Sequence, residues 1–198
     1  MFETHRVGGR AAAMTIVLGL TVAACGGDDS TATTAAPATT TTTTAATTTS
    51  TSAENVVEVG MHDFAFVGLP ESVPAGTRLE VVNHAESELH ELVVFKLADG
   101  EERKAADLAG LDPRGLETAL GAPVMVLLAA PGGDQIAAIG DGTLTEPGQY
   151  VVFCFIPTGV DPQVYLEAAA QPQDGPPQIE GAGPPHFAHG MHADLIVE

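Results

Sequence analysis

The stretch that decides the fold is GQYVVFCFIP at residues 148–157, and it is completed by GPPHFAHGMHADLIVE at residues 183–198. The first stretch is an apolar run after a Pro–Gly turn, which predicts a β-strand. It carries Cys154, one of two cysteines in the chain. In an exported protein a thiol without a partner needs an explanation. A soft-metal site that holds the thiolate beside histidine and methionine would supply one.

The N-terminus predicts export. Residues 1–24 read as a signal peptide, because a short basic start is followed by an apolar run at residues 11–24 that is too short for a resident membrane helix. The run ends in VAAC, and the small residues before Cys25 resemble the lipobox of bacterial lipoproteins. That resemblance implies cleavage before Cys25 and lipidation of its thiol. Ordinary cleavage after an A-x-A-like site, with Cys25 incidental, is the alternative.

We therefore expect a protein that is anchored by lipid to the cell membrane, on its extracytoplasmic face. Residues 25–53 are rich in Thr and Ala and cannot bury enough apolar surface to fold, so they predict a disordered linker. Residues 54–198 are long enough for one domain with its own core, and nothing in them requires a second domain or a partner copy. We expect a monomer.

The charge balance excludes one class of function. The formal net charge is −19, with 26 acidic residues against 7 lysines and arginines. Such a chain repels nucleic acid and anionic headgroups, so we expect no nucleic-acid binding.

Seven or eight short strands separated by turn residues predict an all-β fold, an antiparallel Greek-key β-sandwich. The clearest runs are at residues 56–60, 63–67, 77–83, 89–97, 124–130, 150–156 and 193–197. By the period of two in a strand, Tyr150, Val152 and Cys154 should share one face. Helix-forming residues at 99–120 interrupt the strands and predict a small helical insertion, with Asp112 as an N-cap before Pro113.

Four side chains are the candidate metal ligands: His90, Cys154, His186 and Met191. Two imidazoles and a thiolate in a trigonal set, with a weak axial thioether, form a blue copper centre. Taken singly, each has an ordinary explanation, since a buried Cys often acts as a small hydrophobe and Met as a gap-filler.

The domain resembles the cupredoxins, the plastocyanin-like blue copper proteins. In that family the first His ligand follows a strand that ends in Asn, as VVN at residues 81–83 is followed here by LHEL at residues 89–92. The Cys strand follows a Pro-Gly-x-Tyr turn, which is PGQY at residues 147–150. The second His precedes the axial Met by five positions, as in HFAHGM at residues 186–191. The likeness spans most of residues 56–198.

The resemblance implies one type 1 copper ion, bound by His90, Cys154, His186 and Met191. It implies a carrier of single electrons for a redox partner protein, and not an enzyme. His90 should be buried, whereas His186 should lie nearer the surface with its ring edge towards the partner. Alternatives are a lipoprotein that binds and delivers copper, and a metal-free scaffold that serves as an interaction module.

One feature departs from the family. Cupredoxins place the second His a few residues after the Cys, whereas His186 lies 32 positions after Cys154. Residues 160–185 must therefore form an insertion, hairpin-like or Ω-like, whose ends return close together. Loop length itself costs little, about 0.6 kcal/mol per doubling. His189 or His192 could replace a ligand, or form a separate Zn or Cu motif with His186.

The lipid anchor is testable in cells. Cys25→Ser removes the thiol that would carry the lipid, so the variant should move from the membrane fraction to the soluble fraction. The measurement is fractionation and immunoblotting, with Cys154→Ser as the matched control that keeps Cys25. An unchanged membrane fraction for Cys25→Ser would contradict lipidation.

Overall fold

The computed structural model describes residues 55–171 and 175–198. The predicted signal peptide, the linker and Cys25 lie outside the described residues. Within the described part no helix is long and apolar enough to cross a membrane. The strands are β1 Val56–His62, β2 Ala65–Val67, β3 Ser72–Val73, β4 Thr77–Asn83, β5 His90–Lys96, β6 Met125–Ala129, β7 Ile136–Ile139, β8 Thr143–Leu144, β9 Gly148–Phe153 and β10 His192–Val197.

These strands form two sheets, so the predicted all-β sandwich is confirmed. One sheet has the order β2-β1-β4-β8 and the other β3-β10-β9-β5-β6-β7. Two strand pairs depart from the predicted antiparallel pattern, because β1 pairs with β4 in parallel and β10 pairs with β3 in parallel. Parallel neighbours need a crossover between them. The chain makes these crossovers by passing between the two sheets, which a local turn pattern does not reveal.

The core lies on both faces of the six-stranded sheet. Tyr150, Val152 and Cys154 face the cluster between the two sheets, as the alternation along β9 predicted. Val151 and Phe153 face a second cluster, against the helices. Strand β5 is buried from its first residue to its sixth, because it contributes to both clusters. A strand covered on both faces is a rigid base for a functional side chain.

Two helices cover the outer face of this sheet, α1 at Ala105–Ala109 and α2 at Pro113–Leu120. The predicted cap is confirmed: Asp112 accepts hydrogen bonds from the backbone N–H groups of Arg114 and Gly115 at 3.1 and 3.0 Å. Helix α1 is attached to the sheet by the N–H of Ala105, which donates to Oδ1 of Asp194 at 2.9 Å.

Candidate metal centre

Two adjacent strands bring the first two candidate ligands together. His90 is the first residue of β5, and Cys154 follows directly after β9. These strands are antiparallel neighbours, with Val93 opposite Phe153. The start of β5 therefore lies beside the end of β9. The backbone N–H of Glu91 donates to Sγ of Cys154 at 3.4 Å, which joins the two strands at the sulfur itself.

The third candidate ligand, His186, is brought to the site by a short ladder of backbone hydrogen bonds. The N–H of His186 donates to the carbonyl of Ile156 at 2.9 Å, and that of Phe187 donates to the carbonyl of Cys154 at 2.9 Å. Thr158 and Gly183 continue the ladder, and Pro157 forms a bridge with Pro185. Residues 154–158 and 183–187 are therefore paired, and the ends of the long insertion meet at the site.

The insertion between these paired segments is partly helical. Helix α3 at Pro162–Ala169 begins with Pro162, and the side chain of Asp161 accepts hydrogen bonds from the N–H groups of Gln163 and Val164 at 2.8 and 3.3 Å. Tyr165 of this helix is buried in the cluster that also holds Cys154. The insertion thus packs against the core, and His186 is the first residue of a 3-10 helix at His186–His189, directly after the bridge between Pro157 and Pro185.

Three donor atoms face one another at the meeting point. Nδ1 of His90 lies 3.0 Å from Nδ1 of His186. Sγ of Cys154 lies 3.4 Å from Nδ1 of His186 and 4.0 Å from Nδ1 of His90. Metal–nitrogen bonds of about 2.0–2.1 Å and metal–sulfur bonds of about 2.3 Å separate neighbouring donors of a trigonal set by about 3.5–3.8 Å. The observed separations of 3.0, 3.4 and 4.0 Å lie on both sides of that range, so these three residues fit one metal ion.

The donors are withdrawn from water. His90, Cys154 and His186 have no exposed surface. Burial, followed by the proximity of His186, lowers the pKa of His90 to about 4. Burial also lowers the pKa of His186, against the raising effect of Glu88. Both imidazoles are therefore neutral at neutral pH, the state in which their nitrogens can bind a metal.

The thiol needs a cation to ionise. Burial, and then the charge of Glu91, raise the pKa of Cys154 far above its usual range. Without a bound cation Cys154 is a neutral thiol at all ordinary pH values, and a coordinating metal would remove its proton. The donor set, two imidazoles and one thiolate, is the set that suits copper in a trigonal site.

The remaining candidate metal ligands are Met191, His189 and His192, and they lie in different places. Met191 is fully buried in the same cluster as Cys154, and its carbonyl accepts the hydrogen bond of the Cys154 N–H at 3.1 Å. His189 is exposed with its ring against Phe64, and the ring of His192 lies near Phe153. Neither joins His90, Cys154 and His186 in the one three-residue donor cluster found among the described residues.

The expectation that His186 lies near the surface is wrong. Its ring is covered edge-on by Phe64, with centroids 5.1 Å apart. Its Nε2 lies 3.6 Å from Oε2 of Glu88, and Nε2 of His90 lies 3.8 Å from Oδ1 of Asp63. Phe64 has a φ of +59°, which is uncommon for a large side chain and persists only where packing determines it.

Sequence reasoning missed the acidic residues around the centre. Glu91 is buried within an apolar strand and accepts a hydrogen bond from the N–H of Phe155 at 3.1 Å. A glutamate in the middle of LHELVVF was the available signal. Glu88 and Asp63 gave no such signal, because exposed-loop carboxylates are common and only the fold brings them to the ring edges.

No protein-family model matches the chain, and no curated protein matches it. Among solved structures, the chain is similar to a reduced auracyanin of the photosynthetic bacterium Roseiflexus castenholzii, at 18% identity and a TM-score of 0.42, over 73% of this chain and 98% of that one. It is similar to auracyanin A of Chloroflexus aurantiacus, a "blue" copper protein, at 17% identity and a TM-score of 0.37, over 72% and 98%. A haem-copper terminal oxidase dimer is similar at 16% identity and a TM-score of 0.34, over 74% and 66%.

The two sheets and the buried His–Cys–His cluster make the domain a β-sandwich with one candidate metal centre among the described residues, the arrangement that the resemblance to the cupredoxins implied. Its donor set fits a single copper ion of type 1.

The pairing of residues 154–158 with residues 183–187, which brings His186 to the site, can be tested by adding a side chain at Gly183. A Cβ on Gly183 would overlap the hydroxyl oxygen of Thr158 and lie 3.3 Å from its carbonyl oxygen. We expect Gly183→Ala to lower the free energy of unfolding by about 1–3 kcal/mol. Thr158→Ala in the same chain removes the clashing hydroxyl, so it should restore most of the loss.

The measurement is denaturant unfolding of the four proteins: wild type, each single variant and the double variant. The two effects should be strongly non-additive, as expected for residues in contact. Additive losses would contradict the paired arrangement of residues 158 and 183.

The buried carboxyl of Glu91 predicts a pH dependence. Burial raises its pKa to about 7, so the folded state holds a proton between pH 4.5 and 7 that the unfolded state releases. Stability due to this group is therefore lost as the pH rises from 4.5 to 7, by about 3 kcal/mol in total for a shift of this size. Glu91→Gln should match the wild type in the metal-free protein at pH 4.5 and exceed it at pH 8.

The measurement is the difference in free energy of unfolding between Glu91→Gln and the wild type across this range. His90 has the opposite sign, because its lowered pKa makes stability fall as the pH drops from 6.5 towards 4. That contribution is common to both proteins and cancels in the difference. The exposed Glu102→Gln is the matched control, and a pH-independent difference for Glu91→Gln would contradict the assignment.

Proposed function

We propose that the protein carries single electrons through one copper ion bound by His90, Cys154 and His186, with Met191 as a weak axial ligand. The observation that supports this is the triangle of Nδ1, Nδ1 and Sγ atoms, 3.0–4.0 Å apart and closed off from water. With no ligand residue exposed, a substrate has no surface of the centre to reach. This burial supports electron transfer over catalysis on a bound substrate.

The chain's own residues give the site its rigidity. His90 is held by a strand that is buried on both faces. Sγ of Cys154 accepts a hydrogen bond from the N–H of Glu91 on β5, and the N–H of Cys154 donates to the carbonyl of Met191, directly before β10. The N–H of Glu91 faces Sγ and stabilises the thiolate form of the sulfur. A copper ion in this place supplies a Cu(II)/Cu(I) couple. A donor set that moves little keeps the reorganisation on electron transfer small.

The proposal includes the location and the partner. Lipidation at Cys25 would hold the domain on the extracytoplasmic face of the membrane, at the end of the linker at residues 25–53. The partner is a redox protein, and the net charge of −19 favours one with a basic docking surface. The carrier acts as a monomer.

Copper binding is tested by absorbance. One equivalent of Cu(II) added to the full chain should produce an intense visible charge-transfer band, because the thiolate of Cys154 donates charge to the metal. Cys154→Ser should abolish the band. Cys25→Ser is the matched control, since it removes the other thiol and should leave the band intact.

The same experiment separates the alternatives. Reversible loss and return of the band on reduction and reoxidation supports the electron carrier. Tight Cu(I) binding without a band or a reversible couple would instead support copper delivery. No stoichiometric copper would contradict both functions and leave a metal-free interaction module.

A further inference from the structure

Two histidines outside the centre lie side by side on the surface of the smaller sheet. The parallel register of β1 and β4 places Met61 opposite Asn83. The pairing extends by one residue beyond β4, because the N–H of His84 donates to the carbonyl of Met61 at 2.8 Å. His62 and His84 are therefore the next pair in this ladder. Both are exposed, whereas Met61 and Asn83 point inwards and are buried.

The two imidazole rings are stacked, and both lie close to Gly60. The ring centroids are 4.8 Å apart with an interplanar angle of 22°. That distance equals the spacing of neighbouring strands, as expected for adjacent side chains on one face. Gly60, two residues before His62, has no side chain to keep the rings away. Nε2 of His62 lies 3.3 Å, and Nε2 of His84 3.5 Å, from the place that a Cβ on Gly60 would take.

We propose that His62 and His84 form a second metal site, for one divalent late transition ion such as Cu(II) or Zn(II). Imidazole is the side chain that these ions share as a ligand, and Cu(II) binds it more tightly than Zn(II). Both Nε2 atoms lie on the Gly60 side of the stacked pair, so rotation of the two exposed rings about their side-chain torsions would let both nitrogens bind one ion without a change of backbone. The strongly negative net charge favours a cation at the surface.

This site differs in chemistry from the buried centre. It has no thiolate, and within residues 55–171 and 175–198 no third His, Cys, Asp or Glu forms a donor cluster with the pair. Water completes the coordination, so the ion is exchangeable and Cu(II) here gives no thiolate charge-transfer band. The site is also close to the centre, because the next residue, Asp63, has Oδ1 at 3.8 Å from Nε2 of His90.

The test is a Cu(II) titration of the full chain, followed by electron paramagnetic resonance and visible absorbance. The wild type should bind two equivalents, of which one gives the spectrum of ordinary tetragonal copper with nitrogen ligands. His62→Ala and His84→Ala should each lose that equivalent and keep the other. Excess Zn(II) should displace copper from this site only in part, as its weaker binding requires.

Two further variants make the test sharper. Gly60→Ala keeps both histidines but places a Cβ 3.2–3.5 Å from ring atoms of both, so it should weaken the second equivalent at least tenfold. His189→Ala removes an exposed histidine elsewhere and should leave both equivalents unchanged. A tetragonal copper equivalent that is absent from the wild type, or that survives in both His62→Ala and His84→Ala, would overturn the proposal.

The outcome does not depend on the buried centre. If the visible band never forms, the proposed electron carrier fails, while the loss of one tetragonal equivalent in His62→Ala still supports the surface site. If the band forms and no such equivalent exists, the surface site fails alone.

Discussion

The pairing of residues 154–158 with residues 183–187 is the constraint on which the centre depends. The sheets alone bring two donors together, since β5 and β9 are neighbours and carry His90 and Cys154 at adjacent ends. The third donor comes from beyond an insertion that contains a helix. Four backbone hydrogen bonds and one bridge fix where the chain returns, and they place Nδ1 of His186 3.4 Å from the sulfur. The long separation in sequence thus becomes a short one in space.

Burial prepares the three donors for a cation. Two imidazoles are kept neutral and one thiol is kept protonated, so the metal-free centre holds no charge of its own. Around it lie the carboxyl groups of Glu91, Glu88 and Asp63, the last two facing the Nε2 edges of the rings. Carboxylates that face the outer nitrogen of a ligating imidazole orient the ring and raise its basicity. The surroundings therefore favour a bound cation, with the proton of Cys154 displaced.

Much of this could be predicted from the sequence, because strand periodicity and turn chemistry are local signals. The alternation along β9 correctly separated the face of Cys154 from that of Phe153, and Asp112 before Pro113 correctly marked a helix start. The parallel pairs and the burial of His186 could not be predicted, since both result from packing between distant segments. Which loop carboxylates reach the rings is decided by the same packing.

The burial of His186 changes how the proposed carrier must exchange electrons. In the expected arrangement a ring edge would touch the partner directly. Here Phe64 and Glu88 lie between that ring and the solvent, so an electron has to cross one further layer of side chains. Phe64 has a left-handed backbone conformation, which persists where the surrounding structure determines it, and its ring contacts those of His186 and His189. The arrangement excludes water from the donors at the cost of a longer route to the surface than an exposed ring edge would give.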